Sequence, residues 1–134
     1  MTYSVSKTFR FCYGHRLLND PGKCKNIHGH TAKVTIHLEK DSVDENGMVV
    51  HFENLKKTIG GWISKNLDHT LIISSRDPIK KYLDEQKERY LALDSNPTAE
   101  MIARFIFDQA KSMGLPVARV DLWESESSKA TYRV

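Results

Sequence analysis

The stretch CKNIHGH, Cys24 to His30, gathers residues able to do chemistry: two histidines around one glycine, and a thiol four residues before the first of them. His15 lies upstream in FCYGHRLL. Such a set could be a metal site, a nucleophile with its base, or polar residues collected in a loop. The faces on which the chain places them decide between these. From Tyr3 to His15 the odd positions read Tyr, Val, Lys, Phe, Phe, Tyr, His, and the even ones are mostly small or polar. That period of two predicts a strand with one buried face, and His15 lies on it. From His28 to Glu39 the even positions are His28, His30, Ala32, Val34, Ile36 and Leu38. His28 and His30 therefore share the inward face, while His37 falls on the solvent side. Three imidazoles with no fourth protein ligand would make an open zinc site, leaving one position for water or substrate.

Other side chains could act beside such a centre. Cys24, between Lys23 and Lys25 and close to a cation, would have its thiolate favoured, as a base or nucleophile requires. Cys12 reads as a free cysteine buried for packing. Asp68-His69 sets an acid beside a base; it could serve a proton relay or be a local hydrogen-bonding pair at a helix end. Glu124 follows Val120 and Leu122 on one strand face, where an unpaired carboxylate is costly. A ligand with two parallel N–H donors would satisfy it, and so would a salt bridge at the strand end.

The elements that must position these groups follow from pattern and punctuation. NDPGKCKN is a loop carrying Pro21 and Gly22. DENG, Asp44 to Gly47, reads as a hairpin turn, with Met48 to His51 resuming a strand. Phe52, Leu55, Ile59, Trp62, Ile63 and Leu67 recur at helical spacing. Gly60 and Gly61 inside that helix should cost roughly 1 kcal/mol each against alanine, and close packing on a sheet would be a reason to keep them. A short apolar run, Leu71 to Ile73, precedes the charged stretch DPIKKYLDEQKERYL, expected as a surface helix. A second main helix opens at SNPTAE, with Asn96 as N-cap and Pro97 at its first position. Its buried stripe runs from Ala99 to Met113, and Gly114 and Pro116 end it. Val117–Glu124 and Lys129–Val134 are closing strands. The pattern contains no linker, repeat or low-complexity segment, so residues 1–134 read as one α+β domain.

Composition narrows the function classes. The chain is 40% hydrophobic and 28% charged, ordinary for a globular protein. A net charge of +3, scattered along the chain, is too weak for a nucleic-acid binder and suits an anionic small substrate equally well. No apolar run approaches a membrane span, and MTYSVSKTFRF has no signal-peptide core. The expectation is a cytoplasmic protein without nucleic-acid or membrane partners, whose two cysteines serve chemistry or packing and not a disulfide.

FCYGH, CKNIHGH, LDHT, NPTAE and LWES, in this order, resemble the 6-pyruvoyltetrahydropterin synthase / 6-carboxytetrahydropterin synthase family over nearly the whole chain. The resemblance implies a T-fold (tunnelling fold), a ββααββ unit whose antiparallel sheet forms an oligomeric barrel, usually in a homohexamer built as a dimer of trimers. The charged stretch at about 76–94 stands as an insertion between the helices. By position, His15, His28 and His30 match the family's zinc ligands, Cys24 its catalytic cysteine, and Asp68 and His69 the pair completing its catalytic triad. Glu124 matches the glutamate that anchors the pterin ring, and Thr98 is a further pocket residue or simply a helix-start residue. The substrate implied is 7,8-dihydroneopterin triphosphate. Three residues, Lys25, Asn26 and Ile27, separate Cys24 from the His-Gly-His. That spacing is similar to the 6-carboxytetrahydropterin synthases of the queuosine pathway, whereas mammalian-type pyruvoyl synthases usually have five. One departure is His51, where the family commonly has aspartate; histidine is a poorer N-cap, which leaves the helix entry open.

Overall fold

The computed structural model describes residues Met1–Val134. The period-two segments form the two longest strands, β1 (Tyr3–His15) and β2 (His28–Lys40), each of 13 residues. They pair antiparallel along their whole length, from Tyr3 opposite Lys40 to His15 opposite His28. The inward positions behave as their pattern requires: Phe11, Tyr13, Ala32, Val34, Ile36 and Leu38 are all buried. Each large aliphatic side chain so buried stabilises the fold by about 2 kcal/mol.

The remaining elements are α1 (Phe52–Leu55), a π-helical turn (Lys56–Gly60), α2 (Gly61–Asn66), β3 (Thr70–Ser74), α3 (Ile79–Glu85), β4 (Tyr90–Leu93), α4 (Ala99–Ser112), β5 (Val117–Trp123) and β6 (Lys129–Arg133). The six strands lie in the order β4-β3-β1-β2-β5-β6. The ladders of β2 with β5 and of β5 with β6 are antiparallel, while β3 runs parallel to both β1 and β4. Leu55, Ile59 and Ile63 of the first helical run and Ile102, Ile106 and Ala110 of α4 join the inward strand residues in one core. Both long helical segments therefore cover the same face of the sheet. No helix is long and apolar enough to cross a membrane.

The expected ββααββ order is present, and the segment between the two helices adds to it. DPIKKYLDEQKERYL is not one surface helix: α3 stops at Glu85, and Tyr90–Leu93 forms an edge strand. Lys87 at φ +57° turns the chain between them. Met48–His51 does not form a strand. Both edges of β2 are already taken, by β1 and β5, so a hairpin folding back from β2 finds no free edge on it. It turns instead around Asp44, whose carboxylate accepts the N–H groups of Asn46 (2.8 Å) and Met48 (3.0 Å). His51 does cap the first helix: its Nδ1 accepts the Glu53 N–H at 3.1 Å, replacing the expected aspartate. Asn96 is not the cap of α4; Thr98 is, with its hydroxyl oxygen accepting the Met101 N–H at 3.2 Å. Gly60 lies against the sheet as expected, because a Cβ there would come within 2.6 Å of the Phe9 ring, whereas Gly61 faces open space. His37 does not simply face solvent. On the helix-free face its Nε2 meets Asp121 Oδ2 at 2.9 Å, and Arg119 (3.0 Å) and Thr131 (2.6 Å) donate to the same carboxylate.

One ion pair ties the inter-helix segment to the end of β1. Arg16 donates through Nε (2.7 Å) and Nη2 to the carboxylate of Asp77, which is 2% exposed, and Asp77 also accepts the Ile79 N–H at 2.9 Å. Chiefly through the Arg16 hydrogen bonds, the Asp77 carboxyl is held below its usual range. A lowered folded pKa gives stability that is complete above the unfolded value, near 4, and lost as pH falls through the folded value. Asp77→Asn should therefore cost about 2 kcal/mol at pH 7, the range for losing hydrogen bonds to a charged group, because Arg16 stays partly exposed. The gap to the unchanged protein should narrow in acid; urea unfolding at pH 7 and at pH 3 measures it.

Candidate metal centre and active site

The β1–β2 register brings the three sequence-selected histidines together. His15 lies opposite His28, and Tyr13 opposite His30. One ligand nitrogen from each of His15, His28 and His30 falls within 4.8 Å of the others. The Nε2 atoms of His15 and His30 are 3.1 Å apart, close to the separation of about 3.3 Å expected for two nitrogens on one tetrahedral zinc. Gly14 and Gly29 stand opposite each other between these residues. A Cβ on Gly29 would lie 3.0 Å from the Tyr13 carbonyl oxygen, so the close strand approach here favours glycine.

Two of the rings are held by backbone carbonyls. His15 Nδ1–H donates to Pro97 C=O at 2.7 Å, and His28 Nδ1–H donates to Asn26 C=O at 2.7 Å. Each bond fixes the tautomer and leaves Nε2 with a lone pair for a metal, as the outer partners of metal-bound histidines commonly do. Burial holds His15 below the ordinary histidine range, against the opposing pull of the Pro97 bond, and the neutral form is the one that ligates. His30 Nε2 is also 3.0 Å from Glu124 Oε2, so the carboxylate borders the space a metal ion would take. The donor set fits a metal ion with an open position.

Glu124, one residue beyond β5, is thus part of the cluster. The Tyr13 ring packs between His15 (5.0 Å between centroids) and His30 (5.6 Å). Its hydroxyl is buried without a hydrogen-bond partner, and burial together with the Glu124 charge raises its pKa far above the ordinary phenol range. Neither Tyr13 nor the carbonyls of Pro97 and Asn26 were selected from the sequence. Tyr13 carried a signal, an inward polar tip two residues before His15; a carbonyl carries none.

Asp68 and His69 form the expected pair at the start of β3. His69 Nδ1–H donates to Asp68 Oδ2 at 2.9 Å, which orients the ring and leaves its Nε2 free. Asp68 also accepts the Cys12 N–H at 2.8 Å, the main cause of its lowered pKa, and the His69 N–H donates to Cys12 C=O at 2.6 Å. His69 has φ +58°, a region few residues other than glycine adopt and one common at functional sites. Its side chain is 79% exposed on the rim of a shallow basin shared with His28 and His30. Cys12 lines that basin and is exposed, which corrects its reading as a packing residue: its even position in β1 faces away from the core. Cys24 is exposed in a single 3-10 turn, Lys23–Lys25, with no buried residue, and it does not line the basin. Within one chain, the histidine cluster and Glu124 are in contact, His69 lies on the rim of the basin beside His28 and His30, and the Cys24 thiol stands outside it. Thr98 serves as the α4 cap, one residue from the carbonyl that holds His15.

The model of the family described as 6-pyruvoyl tetrahydropterin synthase matches residues 4–134. The chain is 32% identical to the 6-carboxy-5,6,7,8-tetrahydropterin synthase of Aquifex aeolicus, over 99% of both chains. It is also 32% identical to the protein of the same name in Haemophilus influenzae, over 98% of this chain and 99% of that one. Among solved structures, an uncharacterized protein from Wolinella succinogenes superposes with a TM-score of 0.82 at 26% identity, covering 99% of this chain and 98% of that one. The 6-pyruvoyl tetrahydropterin synthase of Caenorhabditis elegans superposes with a TM-score of 0.74 at 24% identity, covering 100% and 96%. The fold is the T-fold of these proteins.

The donor geometry predicts about one equivalent of a divalent transition-metal ion per chain, measured by elemental analysis after dialysis against the ion. A His28→Ala, His30→Ala double variant should retain none, and a Cys24→Ser variant should retain all of it. Full uptake by the double variant would remove the site.

Proposed function

The chain belongs to the 6-pyruvoyl tetrahydropterin synthase family, and we propose that within it the protein acts as a 6-carboxy-5,6,7,8-tetrahydropterin synthase. The observation that carries this reading is the near-complete alignment with relatives of that name; the three-residue interval between Cys24 and His28 agrees with it. The substrate is 7,8-dihydroneopterin triphosphate. With one water consumed, the products are 6-carboxytetrahydropterin, acetaldehyde and triphosphate, a route toward 7-deazapurine precursors such as that of queuosine. Zinc is the metal, because three imidazoles with one open position suit it.

When bound at His15, His28 and His30, zinc supplies a Lewis acid that favours ionisation of the substrate's side-chain hydroxyls. Glu124 accepts the 2-amino and ring N–H groups of the pterin, two parallel donors facing two carboxylate oxygens. Thr98 is a second polar contact on the substrate. Glu124's 3.0 Å approach to His30 puts the ring anchor beside the metal, so the carbon joining ring and side chain is held near both. Cys24 takes a proton at that carbon. His69, oriented through Nδ1 by Asp68, moves the second proton with its free Nε2. Triphosphate elimination and side-chain cleavage follow from these transfers.

In one chain Cys24 and His69 are exposed, and β4 and β6 end the sheet with unpaired edges. Open edges are normally covered in soluble proteins. Assembly as a homohexamer, two trimeric barrels joined, would cover them and bring exposed rims of neighbouring chains together.

Product analysis tests the reaction. Incubation with dihydroneopterin triphosphate should release acetaldehyde and 6-carboxytetrahydropterin in equal amounts. Accumulation of 6-pyruvoyltetrahydropterin without acetaldehyde would assign the protein to the other activity of the family. Cys24→Ala should lower turnover at least 100-fold, roughly the lower bound for a proton-transfer group, with metal content unchanged.

A further inference from the structure

Asn96, expected as a helix cap, is released from that role by Thr98 and makes a different attachment. Its side-chain amide meets both backbone groups of Leu18: Leu18 N–H donates to Oδ1 at 2.9 Å, and Nδ2–H donates to Leu18 C=O at 2.9 Å. An amide presents one donor and one acceptor side by side, so it pairs with a single residue's backbone as a strand neighbour would. Leu18 belongs to the loop between β1 and β2, and its neighbour Leu17 donates its N–H to Cys24 C=O at 2.8 Å. Two hydrogen-bonded steps therefore connect Asn96 to the backbone of Cys24.

Beyond the Arg16–Asp77 ion pair at its first residue, little else holds this loop from outside. The turn around Cys24 buries no residue, Ile27 is 52% exposed, and the Gly22 and Asn26 N–H groups bond within the loop itself. The next residue, Pro97, gives its carbonyl to the metal-cluster residue His15. Consecutive residues at the start of α4 thus hold the thiol loop and the histidine cluster.

We propose that Asn96 is a positioning residue that clamps the Cys24 loop against the α4 N-terminus, so that the thiol and the histidine cluster keep one relative placement. The inference rests on the role given to Cys24 above, and it acts through geometry alone, with no contact to substrate required. Small misplacements of a reacting group are expensive in rate.

The test compares Asn96→Ala and Asn96→Asp with the unchanged protein. Asn96→Ala should lower kcat about tenfold or more, with KM within about threefold and full metal content. Amide hydrogen exchange in residues 16–27 should become at least about tenfold faster while the α4 amides stay protected. Asn96→Asp keeps the acceptor for Leu18 N–H and loses the donor, so both effects should be intermediate; it decides by the same readouts if the alanine variant does not fold. Unchanged kcat despite a loosened loop overturns the proposal. So does an unchanged exchange pattern, or metal loss in step with activity. Absence of turnover in the unchanged protein would instead refute the assigned reaction. Peptide-resolved alkylation of Cys24 by iodoacetamide then replaces kcat: a rate altered at least threefold in Asn96→Ala supports the clamp, and an unaltered one overturns it.

Discussion

The antiparallel register of β1 and β2 is the constraint on which everything at this site depends. Tyr13 pairs with His30 and His15 with His28, so three imidazoles enter one side of the sheet from two strands. A slip of one residue between these strands would send one set of side chains to the opposite face and dissolve the cluster. The inward apolar side chains of the two strands, Phe11 and Tyr13 on β1 and Ala32, Val34, Ile36 and Leu38 on β2, hold that register, and the facing glycines permit the close approach at its end. The hydrophobic core thus acts at a distance on the histidine cluster, fixing which residues face each other there.

Around that fixed centre the functional groups differ in how firmly they are held. His15 and His28 are locked by backbone carbonyls, and the Pro97 carbonyl is itself set by the start of α4. Asp68 is pinned by the Cys12 N–H on β1, so the acid-histidine pair takes its position from the same strand that supplies His15. His69 and Cys24, the groups given proton transfers, are exposed. Such a division suits a metal that must not move and acid-base groups that must meet a substrate arriving from solvent.

How much of this was legible in the sequence depended on whether the determinant was local. Period two in Tyr3–His15 and His28–Glu39 gave the strands and the shared face of the three histidines, because a strand's faces follow from alternation alone. Gly60 was legible as a close approach. Met48–His51 was not: its composition suits a strand, but a strand needs a free partner, and β2 had none. Tyr90–Leu93 hid inside a charged run because its pairing with β3 is a tertiary matter. Asn96 and Thr98 are both good caps by type, and the Leu18 backbone that takes up the Asn96 amide instead is distant in sequence. Cys12 was misplaced by its chemistry, since free cysteines are commonly buried, although its even position in β1 already put it on the outward face.

The account's central claim is that His15, His28 and His30 hold the metal through imidazole nitrogens alone and leave one position open. X-ray absorption at the zinc edge, on protein loaded with one equivalent, tests this most directly. The expected spectrum has three imidazole nitrogens at about 2.0–2.1 Å and one further oxygen or nitrogen. A sulfur at about 2.3 Å, or scattering from fewer than three imidazoles, would contradict it.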